Sequence, residues 1–182
     1  MPKVLDDLIA AGHIEPVLAV FVDNRDPHDL RDNRRNQELF CNRDYAAFFE
    51  KELVPETGER HLTVAHRMGR VVLGLSFGGL NSAYFGLLAS ELFYGIAMQS
   101  PARHPVPQIH VAWQEAPVAD LRIFLSTGTI GDNLASTRRF GRILEEKGHD
   151  LEYVEVKQGH DWRNWEPLLD DVALFFFGAR TD

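Results

Sequence analysis

The short apolar stretch Val71-Val72-Leu73 runs into Gly74-Leu75-Ser76-Phe77-Gly78-Gly79, and helical spacing begins at once through Leu80, Ala83, Tyr84, Leu87 and Leu88. A strand that turns directly into a helix at a serine constrains this chain more than any other feature, because a turn that tight strains the serine backbone. The glycines fit that geometry: side chains two residues to either side of the serine are expected to collide with the neighbouring strand and helix. The first N–H groups of a helix point at such a turn, so the Phe77 N–H is a candidate donor to a developing oxyanion. G-x-S-x-G alone is common, and a Gly-rich structural turn is the competing reading. The strand-to-helix context favours a nucleophile elbow with Ser76 at its tip.

The flanking segments alternate between strand-like and helix-like patterns, with no internal repeat or linker, and read as one α/β unit over residues 1–182. Val4 to Ala11 predicts a short amphipathic helix closed by Gly12, and the unbroken apolar run Val17 to Val22 predicts a strand covered on both faces. Asp23 to Asn42 is a charge-rich surface loop. Asp44 to Leu53 has helical spacing with Pro55 just past its end. Further strands are expected over Val71 to Leu75, Phe93 to Met98, Leu121 to Leu125 and Leu151 to Val156, with helices over Gly78 to Ser90, Leu134 to Lys147 and about Trp162 to Phe177. The segment with prolines at 101, 105, 107 and 117 has no clear assignment. Strand, helix, strand order implies a mostly parallel sheet with helices on both faces.

Composition narrows the partners. Lys plus Arg total 19 against 27 Asp plus Glu, a formal charge of -8, which disfavours nucleic acid and anionic lipid. Cys41 is the single cysteine, so neither an internal disulfide nor a thiolate cluster is expected. No apolar stretch approaches the roughly 18 residues of a membrane span, and Asp6 and Asp7 interrupt the place of a signal-peptide core, so a cytoplasmic location is expected. No cofactor is implied.

A serine nucleophile needs a base, and after an elbow of this kind the order is serine, acid, histidine. Gly159-His160-Asp161 follows the Leu151 to Val156 strand and places His160 best among the eight histidines. His149, beside Gly148, lies at the opposite end of that strand and reads as a surface residue at a helix stop. His13, His28, His61, His66, His104 and His110 show no metal-ligand spacing, so no metal site is expected. For the acid, the turn Ser126-Thr127-Gly128-Thr129-Ile130-Gly131-Asp132-Asn133 carries one carboxylate, Asp132. Capping of the following helix by Asp132 or Asn133 is the alternative. Asp161 reads as the cap of the last helix.

These residues together resemble the enterochelin esterase and esterase D-like branch of the α/β-hydrolases. The resemblance covers nearly the whole chain. It rests on Arg35-Asn36-Gln37-Glu38-Leu39 with Asn42, on Glu52-Leu53-Val54-Pro55, on Gly74 to Leu80, and on Gly159-His160-Asp161 with Trp165. It implies ester hydrolysis through an acyl-enzyme on Ser76, with His160 as base and the Asp132 turn as the site of the acid. It also sets Arg35 and Glu38 near the pocket, where a surface ion pair is the alternative, and makes Arg35 and Trp162 candidates for substrate contact. In siderophore esterases a Ser-Gly-Ser segment follows the next strand, whereas here Gln99-Ser100 runs into Pro101-Ala102-Arg103-His104, which argues against a catecholate siderophore. Val17 to Val22 resembles the family's fourth strand, so the chain is expected to be the carboxyl-terminal part of a larger catalytic domain. The first strands, and the loop that carries a second oxyanion N–H, would then lie upstream. Unpaired edges in such a chain are expected to pair Val17 to Val22 with Val71 to Leu75, or to drive a homo-oligomer or aggregation. The function expected is a serine esterase acting on a small-molecule ester; an acyltransferase on the same site and a non-catalytic fragment are the alternatives.

Overall fold

The computed structural model describes residues 1–179. Four strands, β1 (Val71–Leu75), β2 (Gly95–Gln99), β3 (Arg122–Gly128) and β4 (Asp150–Val156), form one sheet in the order β1-β2-β3-β4. All three pairings are parallel, with Leu75 opposite Gln99 and Gln99 opposite Ser126. Parallel strands need helical crossovers, and these cover both faces. On one face α3 (Arg43–Phe48), α5 (Phe77–Leu88), α6 (Ile109–Glu115) and α7 (Leu134–Glu146) enclose Ile96, Met98, Ile123 and Leu125. On the other, α9 (Leu169–Phe177) covers Leu73, Ala97, Phe124 and Val154 through Val172, Phe175 and Phe176, and α1 (Pro2–Ala10) packs beside α9. The two-residue period of the strands divides their side chains between these layers. Full burial of a side chain such as Phe85 or Leu125 stabilises by about 1.5 to 3 kcal/mol.

Several sequence expectations need correction. Val17 to Val22 is not a strand: it pairs with nothing in the sheet, and Leu18, Val20 and Phe21 are exposed. A strand exists only through hydrogen bonds to a neighbour, and this segment makes none, while β1 is bonded only to β2 among the described residues. The charge-rich stretch from Asp23 to Asn42 contains a short helix, α2 (Arg35–Leu39), and an antiparallel bridge between Arg25 and Asn33. Pro55 does not follow a helix end. α3 continues through a π-wound segment, Phe49–Leu53, into α4 (Val54–Arg60), and Pro55 sits just past the junction of the two, inside one helical run. The proline-rich stretch holds α6, whose Trp113 donates Nε1–H to the Ala83 carbonyl at 3.0 Å. The last helix is broken into α8 (Trp162–Trp165), a 3-10 turn over Glu166–Leu168, and α9, because Pro167 cannot donate within a continuous helix. His149 is half-buried with its ring edge-on to Trp113, rather than a surface residue.

His110 deepens that corner. It stacks on Phe140 with ring centroids 4.7 Å apart, and its Nδ1 is buried without a hydrogen-bond partner among the described residues. Burial, helped by the charges of Arg103 and Arg139, pushes its pKa down to about 4. The unfolded chain therefore binds a proton near the ordinary value of 6.5 that the folded chain refuses until about 4. Stability from the neutral ring is full above 6.5 and is lost as the pH falls toward 4, by about 3 kcal/mol for this one group. Urea unfolding across that range is expected to show the acid-side loss in the wild type, and a much flatter profile in His110→Phe.

Candidate active site

The carboxyl ends of all four strands meet at one edge of the sheet: Ser76 follows β1, Ser100 follows β2, the turn to Asp132 follows β3, and Gly159-His160 follows β4. Parallel strand order is what gathers them, since every strand ends on the same side.

Ser76 has φ 56° and ψ -112°, a strained conformation for a residue with a side chain. Its N–H donates to the Gln99 carbonyl at 2.9 Å, while its own carbonyl accepts from Leu80 at 3.1 Å and Ala102 at 3.0 Å. Serine before a helix usually caps it, yet Ser76 makes no capping bond. The hydroxyl turns outward to His160 Nε2 at 2.8 Å, which leaves the Phe77 N–H uncapped in the first turn of α5. Gly74 has no room for a side chain, because a Cβ would overlap the Gly78 carbonyl. The second tight position differs from expectation. A Cβ at Gly78 would meet nothing within 4 Å, whereas one at Gly79 would press on Pro101 Cα at 3.0 Å.

His160 Nδ1 lies 2.6 Å from Asp132 Oδ1. A carboxylate accepts, so Nδ1 carries the proton and Nε2 is free to receive one from Ser76. The Asp132 side chain has no exposed surface. Burial alone would raise its pKa, but bonds from Ser100, His160 and the Gly128 and Asn133 N–H groups outweigh it and hold the carboxyl below its ordinary range. The capping alternative does not describe this carboxylate: Asn133 precedes α7 without a side-chain cap, and Asp132 Oδ1 accepts from the Asn133 N–H at 2.7 Å. Asp161 does cap α8, accepting from the Arg163 N–H at 2.9 Å.

The remaining candidates rim the site. The Arg35 guanidinium lies over the Phe77 ring, 4.8 Å from its centroid, and makes no ion pair with Glu38, whose carboxylate accepts from Asn24. Phe40 meets the same ring edge-on at 4.8 Å, and His104 approaches it at 5.5 Å. Trp162 is exposed on α8 beside Trp165, whose indole stands edge-on to His160 at 5.0 Å. Sequence reasoning missed Ser100, Asn164 and His104 as neighbours of the site. Ser100 and His104 lie in loops and Asn164 in the one-turn helix α8, so none carries a periodic signal, and only the position of Ser100 at the end of a strand pointed to this edge. Among the described residues no cluster of three or more His, Cys, Asp or Glu could hold a metal ion, and no helix is long and apolar enough to cross a membrane. The arrangement can move a proton from Ser76 to His160 and balance the resulting imidazolium against Asp132.

A parallel sheet wrapped by helices, with a strained serine at a strand-to-helix turn and a histidine and a carboxylate on later loops, defines the α/β-hydrolase class. Residues 2–176 match the family described as Putative esterase, and the chain belongs to that family. It is 24% identical over 177 residues to an endo-1,4-beta-xylanase/feruloyl esterase of Xylanibacter ruminicola, a match over 96% of this chain and 23% of that protein. The enterobactin esterase of Shigella flexneri, crystallised with 2,3-dihydroxy-N-benzoyl-glycine, superposes with a TM-score of 0.82 at 25% identity, over 94% of this chain and 47% of that one. A ferulic acid esterase superposes with a TM-score of 0.73 at 18% identity, over 96% of this chain and 75% of that one, and shares the fold. The chain thus spans about a quarter of the curated relative and just under half of the enterobactin esterase.

The two glycines of the turn make a sharp contrast. Gly74→Ala is expected to cost about 3 kcal/mol or more, through overlap with backbone that cannot move aside. Gly78→Ala, in open space in the first turn of α5, is expected to leave stability within about 1 kcal/mol. Chemical denaturation of the two variants measures the difference.

Proposed function

We propose that the chain is a serine esterase. The observation that carries this reading is the continuous line from Ser76 Oγ to His160 Nε2, 2.8 Å, and from His160 Nδ1 to Asp132 Oδ1, 2.6 Å, at a strained strand-to-helix turn. In the first step the Ser76 proton passes to His160 Nε2 as Oγ bonds to the ester carbonyl carbon, and the carbonyl oxygen takes the negative charge beside the Phe77 N–H. The tetrahedral centre then collapses: its bond to the alkoxy oxygen breaks, and His160 gives its proton to the departing alcohol. Water repeats the sequence, losing a proton to His160 as it attacks the acyl carbon, and Ser76 leaves with that proton restored. Asp132 holds the imidazole in the required tautomer and balances its charge; it does not itself accept the proton.

For the substrate we propose an ester of a molecule that carries an aromatic ring. Two of the relatives are a feruloyl esterase and a ferulic acid esterase, and a third was crystallised with a dihydroxybenzoyl compound. The rim of Phe40, Phe77, His104 and Trp162 offers ring faces and edges for stacking, with the Arg35 guanidinium exposed beside them. An alcohol in place of water would make the same site an acyltransferase, and added alcohol acceptors in a product assay distinguish the two.

Ser76→Ala and His160→Ala are each expected to lower kcat by about 10³-fold or more, because nucleophile and base act as a unit. Asp132→Asn is expected to lower it less than His160→Ala does. Labelling by a fluorophosphonate, mapped to Ser76 by mass spectrometry and lost in His160→Ala, is the direct test; a folded chain that hydrolyses esters equally well without the Ser76 hydroxyl overturns the reading.

A further inference from the structure

Ser100, at the carboxyl end of β2, has φ 48° and no exposed surface. A non-glycine residue in this region costs about 1 kcal/mol or more, and what the hydroxyl does there is specific. It accepts from Trp165 Nε1 at 2.9 Å and from Asn164 Nδ2 at 3.1 Å, and it lies 2.6 Å from Asp132 Oδ2. With N–H donors on its acceptor side, its single proton is directed at the carboxylate. Asn164, also fully buried, has two Nδ2 hydrogens for three acceptors, Ser100 Oγ, Asp132 Oδ2 at 3.0 Å and the Gly159 carbonyl at 2.9 Å, so one of these bonds is shared.

The two oxygens of Asp132 have separate duties. Oδ1 serves His160; Oδ2 accepts from Ser100, Asn164 and the Gly128 N–H at 2.6 Å. The Gly128 N–H comes from the last residue of β3 and the Asn133 N–H from the residue after Asp132, both on the segment that carries the aspartate. Ser100 and Asn164 come from two other elements, and Ser100 follows Gln99, whose carbonyl receives the Ser76 N–H. A closed ring results: Ser76 to Gln99 and Ser100, Ser100 to Asp132, Asp132 to His160, and His160 back to Ser76. The terminal torsion of an aspartate is broad and soft, so a carboxylate held only by the Gly128 and Asn133 N–H groups has fewer restraints against turning from the imidazole. A ring closed through a second strand adds a restraint from outside the segment that carries the aspartate.

We propose that Ser100, braced by Asn164 and Trp165, is the positioning residue that fixes the Asp132 carboxylate and through it the imidazole of His160. It touches neither substrate nor the reacting atoms, and the inference rests on the serine-esterase reading above. The Trp165 indole has a double part, donating to Ser100 while its ring edge limits the tilt of His160.

Ser100→Gly is the variant that isolates the hydroxyl, because glycine accepts φ 48° without strain and the fold does not lose backbone fit. Its kcat is expected to fall by about tenfold to a hundredfold, as for other small misplacements of a reacting group, with KM within about threefold. The downfield proton resonance of the His160 Nδ1–H bond to Asp132 is expected to move upfield or broaden, while the other amide resonances stay in place. Trp165→Phe keeps a ring beside His160 and deletes only the N–H, and is expected to act in the same direction more weakly; it decides the matter if Ser100→Gly folds poorly. Wild-type kcat together with an unmoved resonance in the folded variants overturns the positioning role. If the wild type neither takes the fluorophosphonate at Ser76 nor hydrolyses esters, it is the esterase reading that falls, and the resonance still decides whether Ser100 holds Asp132 to His160.

Discussion

A carboxylate taken wholly out of water carries a desolvation cost of several kcal/mol, which only well-placed donors offset. Asp132 meets that requirement with donors drawn from the end of β2, from its own turn and from α8, and each of them is thereby fixed in turn. Gly128 shows how close the fit is: a Cβ there would overlap the Gln158 carbonyl and come within 2.9 Å of Asp132 Oδ2. The loops after the strands are therefore not free connections. They are held in register by one buried charge, and the exposed part of the site, His160, inherits its orientation from the hidden part.

Strain is distributed along the same edge. Ser76 and Ser100 stand just past the ends of adjacent strands, both with positive φ, and both are tied by backbone bonds across the sheet: Ser76 N–H to Gln99, and Ser100 N–H to Ser126 at 2.7 Å. The second of these continues the staircase by which each strand end receives the residue after its neighbour. A parallel ladder supplies rigid anchors at regular spacing, which is what two strained turns side by side require. The single cysteine stays outside this chemistry, with burial pushing its thiol up to about 11 and leaving it protonated.

How much of this was legible in the sequence follows from what each feature depends on. The β1 to α5 turn was readable because its glycines answer a local steric demand, and His160 and Asp132 because strand order places their loops. The collision expected at Gly74 is present and the one expected at Gly78 is not, since the helix leaves that position open while Gly79 is pressed by the loop after β2. Val17 to Val22 misled for a physical reason: an apolar run states a preference for burial, while a strand is a relation between two segments. Ser100 and Asn164 were invisible because their importance lies in partners that are mostly distant in sequence: Asp132, Asn164 and Trp165 for Ser100, and Ser100 and Asp132 for Asn164. α6 was hidden by the prolines around it, which lie outside the helix and not within it.

β1 is bonded to β2 on one side, and among the described residues to nothing on the other. The strand that carries the serine is thus anchored along a single flank, like a shelf fixed to one wall. Its stiffness against sideways bending comes from β2 and from the helix that leaves it; β4, which leads to His160, is likewise bonded only to β3, whereas β3, which leads to Asp132, is bonded on both sides. The compliance of the site is consequently uneven. Ser76 and His160 both follow edge strands, so any backbone that came to lie along the bare side of β1 would damp the motion of the Ser76 oxygen without touching His160 or Asp132.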